Sequence, residues 1–202
     1  MLVHLPNLLT LSRIVVLPPL IACLWIGGET FRWAALALYA LASITDYFDG
    51  YLARTLDVQS AFGRLLDPIA DKLLVGACLL ILSALGYIEG WTVLAGLVIL
   101  LREILVSGLR EFLAEIRVGM PVSGLAKWKT AIQMLAIGFL IIGTDAPAWT
   151  QAQLVGEVGL WLAAGFTLLT GWDYLRSGLK HLASVEAGHS PQPTPKPEQI
   201  SP

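Results

Sequence analysis

Charge is scarce in this sequence. Of its 202 residues, 14% are Asp, Glu, Lys or Arg while 56% are hydrophobic, and the mean hydropathy is +0.71. Soluble globular domains carry about 25% charged residues, so this balance excludes the ordinary water-soluble class. Cysteine is nearly absent. Cys23 and Cys78 both fall in apolar runs without metal-ligand spacing, which leaves no disulfide framework and makes them small buried side chains. Histidine is equally sparse: His4, His181 and His189 lie near the ends and match no catalytic arrangement. No side chain is set up as the nucleophile of a covalent intermediate. The formal net charge of −2 carries no information about partners, and no nucleic-acid partner is expected. A cleavable signal peptide is not expected either. The first apolar run lacks a small-residue cleavage site and ends in Ile26-Gly-Gly-Glu29.

What the sequence does contain is a series of apolar runs near twenty residues long, the length of a membrane-crossing helix. The expected fold is all-α: a polytopic membrane protein of six transmembrane helices, with a short interfacial segment over residues 1–10. Pro6 and Asn7 are plausible helix-start residues. The helices are expected at about 11–26, 31–52, 63–85, 91–113, 125–142 and 154–174. Residues 1–182 would form one membrane domain. Residues 183–202, rich in Ser, Pro and Gln, are expected as a disordered cytoplasmic tail. Six spans put both termini on one side. Arg32 is the only one of the thirteen Lys and Arg residues assigned to the opposite half. The positive-inside rule therefore puts the termini, the 54–63 link and the 115–124 loop in the cytoplasm.

Against this background one stretch stands out. Asp46, Asp49, Asp67 and Asp71 lie within 26 residues, flanked on both sides by long apolar runs. Carboxylates in a bilayer cost roughly 2.5–3.5 kcal/mol each even on a lenient scale, and by default they mark a functional site. Asp46 and Asp49 are spaced i, i+3; Asp67 and Asp71 are spaced i, i+4. Each pair therefore shares a helix face. Two such pairs around one volume would repel unless a hard divalent cation, Mg²⁺ or Mn²⁺, sat among them. Four carboxylates suffice for two ions about 3.5–4 Å apart, the arrangement that clamps a phosphoryl-transfer transition state. Gly50 and Gly63 would let a ligand or a second backbone approach closely, and Arg54 offers a fixed fork for phosphate oxygens. All four acids sit at the cytoplasmic ends of the second and third helices.

Taken together, Asp46-x2-Asp49-Gly50-x2-Ala53-Arg54-x8-Gly63-x3-Asp67-x3-Asp71 resembles the signature of the CDP-alcohol phosphotransferase family, matched at every fixed position. The resemblance implies that an alcohol hydroxyl attacks the β-phosphorus of a CDP-linked lipid and that CMP leaves. It implies two metal ions held by Asp46, Asp49, Asp67 and Asp71, with Asp71 also the general base. It further implies that Gly50, Ala53 and Gly63 line the cytidine pocket, with Asp49 and Arg54 beside it, and that the enzyme is a homodimer. The glycines of the fourth and sixth helices could pack within one chain or between two.

Beyond the motif, the chain is similar to the bacterial branch of that family whose lipid donor is CDP-diacylglycerol and whose acceptor is glycerol 3-phosphate. The similar stretches are Leu5–Thr10, Asp67–Leu74, Arg102–Glu111, Ala126–Thr130 and Gly171–Arg176. A phosphorylated acceptor requires further cations. Arg102, Arg110, Lys127 and Lys129 are expected to serve as a group, though some Arg and Glu residues of the fourth helix could simply pair. Arg13 is either an interfacial anchor or a phosphate ligand, and Lys72 either a counter-charge or a substrate contact. Inositol phosphate or serine would be the alternative acceptors. A divalent-cation transporter is the rival from another class, but its acids should be spread through the membrane depth. A catalytically silent scaffold would have a motif acid replaced, and none is.

Overall fold

The computed structural model describes residues 5–56, 61–115 and 124–186, and the described residues are helical with no strand among them. Six long helices follow in order: α1 (Leu5–Ile26), α2 (Glu29–Leu56), α3 (Ala61–Ala84), α4 (Thr92–Glu115), α5 (Gly124–Ile142) and α6 (Ala152–Glu186). Two single 3-10 turns, Gly143–Asp145 and Ala148–Thr150, link α5 to α6. Short links of this kind make successive helices antiparallel. The first helix and the stretch proposed as an interfacial lead-in form one continuous helix from Leu5. Pro18 and Pro19 sit inside it, withholding the hydrogen bonds that the carbonyls of Ile14 and Val15 would receive in an unbroken helix. The helix α6 runs on to Glu186, so the 182/183 boundary falls inside it. The proline-rich remainder lies outside the described residues.

Two stretches, Thr92–Leu113 and Ala148–Arg176, pass the test of length and hydropathy for crossing a membrane; α1 contributes a shorter apolar stretch, Leu11–Ile26. In α2, α3 and α5 the stretches with described side chains are shorter than a full span.

The surface nevertheless has the character of a lipid-facing one. Leu80, Leu101, Ile104, Leu135, Leu162 and Leu169 all lie exposed along the helices. Six of the seven exposed tryptophans gather at the ends, Trp25, Trp33, Trp91 and Trp149 at one and Trp128 and Trp172 at the other, with Trp161 between them. From Trp149 to Trp172 a helix rises about 35 Å, close to a hydrocarbon core plus part of its interfaces. Aromatic rings at these two levels are the pattern of membrane–water boundaries.

Inside, α1 packs against α2 and α3, α6 packs against α4 and α5, and α2 against α5 and α3 against α4 join the two groups. The core runs through Leu20, Leu24, Leu74, Cys78, Leu82, Ile99, Ile137, Leu140 and Leu160, all buried. Small residues bring α5 and α6 close. A Cβ added at Gly156 would lie 2.6 Å from Leu140 Cγ, and one at Gly159 would lie 2.9 Å from Ala136 Cβ. Without water to drive apolar association, such close backbone packing is what holds helices together in lipid.

At the end opposite the motif, Arg32 is buried and internally neutralised. Its Nε donates to Ile141 O at 2.9 Å, its Nη1 lies 3.3 Å from Asp145 Oδ2, and its guanidinium stacks 4.1 Å from the Tyr87 ring centroid. Arg32 thus caps the C-terminal carbonyls of α5, where a cation is favoured. The side chain of Gln153, donating to Tyr87 O at 2.8 Å, ties α6 into the same end.

Candidate active site

The last three turns of α2 carry Asp46, Asp49, Gly50, Ala53 and Arg54; the first three turns of α3 carry Gly63, Asp67 and Asp71. Both stretches are helical, so Asp46 and Asp49 share one face, as do Asp67 and Asp71. Both stretches also lie at the same end of the bundle, because α2 runs toward that end and α3 starts from it. The side chains of Asp46, Asp49, Ala53, Arg54, Asp67 and Lys127, and the surroundings of Gly50 and Gly63, lie outside the described residues.

Asp71 is described, and it is half-buried. The charges that act on it are those of Arg13, Lys129 and Lys72, with the Tyr39 phenol also within reach. Three further helices therefore converge on it. Arg13 comes from α1 and is 2% exposed, so it points into the bundle and not to a membrane interface. Lys129 comes from α5 and is also buried. Tyr39 comes from α2, and its hydroxyl is fixed by donating to Met134 O at 3.1 Å on α5. Lys72 is half-buried and feels Asp71 and Glu111 as opposite charges and Arg110 as a like charge.

A second cluster adjoins the first. Lys129 Nζ pairs with Glu103 Oε1, and Arg102 Nη1 lies 3.7 Å from the same oxygen. Arg102 Nη2 donates to Thr170 Oγ1 at 3.0 Å, and its guanidinium carbon lies 5.8 Å from the Tyr174 ring centroid. Two cations from α4 and α5 thus share one carboxylate and leave a net positive group beside Asp71. Arg110, two turns further along α4, is exposed. The polar atoms Arg102 Nε, Gln133 Oε1 and Thr167 Oγ1 are buried and have no partner among the described residues.

Of the cations grouped by the sequence, the structure brings Arg102 and Lys129 together on Glu103, while Arg110 is exposed but within electrostatic reach of Arg102 and Lys72. Sequence reasoning left Arg13 and Lys72 open, raised Glu103 only as a pairing partner on the fourth helix and Tyr174 only within the Gly171–Arg176 stretch, and did not single out Tyr39 or Thr170. A signal existed for Arg13, a lone cation eight residues into an apolar helix. None existed for Thr170, whose partner Arg102 lies 68 residues away in sequence.

Among the described residues no group of three or more His, Cys, Asp or Glu side chains is placed to hold a metal. Three of the four motif acids are outside that set. The donor set itself, carboxylates at same-face spacing on the adjoining ends of two helices, is hard and oxygen-only, which suits Mg²⁺ or Mn²⁺ better than thiophilic metals.

Residues 3–169 match the profile of the CDP-alcohol phosphatidyltransferase family. Among curated proteins, the CDP-diacylglycerol–glycerol-3-phosphate 3-phosphatidyltransferase of Rickettsia bellii is 45% identical over 178 residues, covering 88% of this chain and 97% of the relative. A protein of the same name from Pseudomonas fluorescens is 39% identical over 182 residues, covering 89% and 92%. Another, from Cereibacter sphaeroides, is 37% identical over an alignment of 212, covering 88% and 96%.

Proposed function

Because this chain belongs to the CDP-alcohol phosphatidyltransferase family, we propose that it transfers the phosphatidyl group of CDP-diacylglycerol to glycerol 3-phosphate, releasing CMP and forming phosphatidylglycerophosphate. The observation that carries the choice of acceptor is the pair of cations Arg102 and Lys129 on the single carboxylate of Glu103, with Lys129 within electrostatic reach of Asp71. A neutral alcohol would have no use for that surplus positive charge. A phosphate monoester dianion neutralises it.

The reaction is a direct displacement. The acceptor hydroxyl oxygen forms a bond to the β-phosphorus as the bond from that phosphorus to the bridging oxygen of CMP breaks. CMP departs with the electron pair, and the hydroxyl proton passes to the Asp71 carboxylate. Asp46, Asp49, Asp67 and Asp71 would hold two divalent ions, Mg²⁺ or Mn²⁺, which when bound neutralise diphosphate charge and acidify the attacking hydroxyl. Gly50, Ala53 and Gly63 would line the cytidine pocket, where absence of bulk would admit the nucleotide, with Asp49 and Arg54 beside it. Arg102 and Lys129 hold the acceptor phosphate, with Arg110 and Lys127 completing the basic group at the mouth. Arg13 and Lys72 place positive charge near Asp71. The acyl chains stay in lipid while the water-soluble nucleotide and acceptor enter from the site end.

In this reading the chain spans the bacterial cytoplasmic membrane six times, as a homodimer, with both termini and the site on the cytoplasmic side. The burial of Arg32 against Asp145 supports that orientation. The one cation assigned to the far side is an internally paired group, not a loop charge.

The test is product identity. Purified full-length protein in detergent, given CDP-diacylglycerol, glycerol 3-phosphate and Mg²⁺, should yield phosphatidylglycerophosphate and CMP in equal amounts by mass spectrometry. Free phosphatidic acid as the sole lipid product would mean that water, not the acceptor, attacks, and the reading would fail.

A further inference from the structure

The side chain of Arg102 is held from one side by a single face of α6. Its Nη2 donates to Thr170 Oγ1 at 3.0 Å, while the Thr170 hydroxyl itself donates to Phe166 O at 2.8 Å, leaving the oxygen's lone pairs to the guanidinium. The Tyr174 ring, one turn on, lies 5.8 Å from the guanidinium carbon. Between them Gly171 lets the Arg102 stem lie directly on the helix. A Cβ there would sit 3.1 Å from Cγ and 3.4 Å from Nε of Arg102. Positions 170, 171 and 174 fall on one helix face by periodicity. Meanwhile Nε of Arg102 is buried and has no partner among the described residues, a donor that a phosphate oxygen would satisfy.

We infer that Thr170, Gly171 and Tyr174 are positioning residues for acceptor binding: they fix the plane of the Arg102 guanidinium so that it meets the phosphate monoester of the acceptor as a rigid fork. The inference rests on the reading of Arg102 as an acceptor-phosphate ligand. An arginine stem has many rotamers, and bidentate recognition works only when the fork is held in place by a supporting shell. Lys129, with its point charge, needs no such alignment, and α6 accordingly clamps only the arginine. The role also gives a physical meaning to the Gly171-Trp-Asp-Tyr174 stretch, in which a glycine and an aromatic residue three positions apart serve the same side chain.

The experiment is steady-state kinetics of the purified full-length protein with glycerol 3-phosphate and CDP-diacylglycerol varied separately. Thr170→Val, which keeps shape and removes the hydroxyl, should raise KM for glycerol 3-phosphate roughly tenfold, the loss expected for a hydrogen bond to a charged group. Its kcat and its KM for CDP-diacylglycerol should stay within about twofold. Thr170→Ser, which keeps the hydroxyl, should restore the wild-type KM, and Gly171→Ala should raise it a few-fold. Gly165→Ala, on an exposed face of α6 with nothing within 4 Å, is the control and should be silent. In an Arg102→Ala background, itself raised in KM for the acceptor, Thr170→Val should add no further increase. An unchanged KM in Thr170→Val, an equal rise for both substrates, or a tenfold rise that persists without Arg102 would each overturn the positioning role alone. If Arg102→Ala leaves the KM for glycerol 3-phosphate unchanged, the acceptor site itself is misassigned and the inference falls with it.

Discussion

Replacing Glu103 with Gln should destabilise this protein more than replacing the lysine it pairs with, and the two changes together should do less harm than either prediction summed. Glu103 is the shared partner of Lys129 and Arg102, and Lys129 is 4% exposed. In Glu103→Gln the buried Lys129 and the half-buried Arg102 both lose the carboxylate they share. Removing one member of a buried pair costs about 3–5 kcal/mol, and the 19% exposure of the Glu103 side chain puts this case near the lower end, about 3 kcal/mol. For a chain of this size that corresponds to a fall in Tm of roughly 6–12 °C. In Lys129→Met the carboxylate keeps Arg102 at 3.7 Å, so the loss should be about 1–2 kcal/mol. In the double variant Arg102 still lacks its carboxylate but the buried ammonium is gone, so the loss should be smaller than the two single losses summed. The assay is thermal unfolding in one detergent, followed by tryptophan fluorescence, across the four proteins of the cycle. Additive losses, or a Glu103→Gln variant no less stable than Lys129→Met, would show that the three groups do not share one electrostatic site.

Other outcomes follow from the same structure. Asp71→Asn, which removes the proton acceptor and a metal ligand while keeping shape, should lower CMP release by about 10²–10⁴-fold with little change in Tm; release within tenfold of wild type would remove Asp71 from the chemistry. Chelation with EDTA should abolish turnover, and Mg²⁺ or Mn²⁺ should restore it, whereas activity that survives chelation would contradict the carboxylate site. Gly156→Val drives a branched side chain onto Leu140, whose Cγ would be 2.6 Å from the new Cβ and whose backbone N would be 3.1 Å away. A loss of about 1–3 kcal/mol is expected in the same unfolding assay, and a neutral result would mean that α5 and α6 are further apart than described. Arg32→Leu strands Asp145 and uncaps the carbonyls of Leu140 and Ile141, so stability should fall while the KM values of both substrates stay unchanged, since the cluster lies at the end opposite the motif.

The helices were legible in the sequence because long apolar runs broken by glycine and proline are a local signal. The ends near Ile26, Ala84 and Ile142 fall within a residue or so of where the runs stop. The second and sixth helices run past their apolar windows, since Asp46 to Leu56 and Arg176 to Glu186 continue the helical backbone with polar side chains that hydropathy does not see. The motif acids were legible as same-face pairs for the same local reason. What was not legible was which neighbouring helix each charge meets. The spacing of Arg102 and Arg110 allowed one shared role, yet Arg102 turns inward to Thr170 and Arg110 lies at the surface. Arg13 could have been an interfacial anchor on periodicity alone; only the packing of α1 against α3 turns it toward Asp71. Such pairings depend on the rotation of one helix about its axis relative to another, which no local pattern fixes.

The most direct test of the account is CMP release by the purified protein supplied with CDP-diacylglycerol and Mg²⁺ and offered glycerol 3-phosphate, inositol phosphate or serine in turn. The account predicts CMP with glycerol 3-phosphate alone, and none from the Asp71→Asn variant. CMP released with serine, which brings no phosphate for Arg102 and Lys129 to hold, would contradict it.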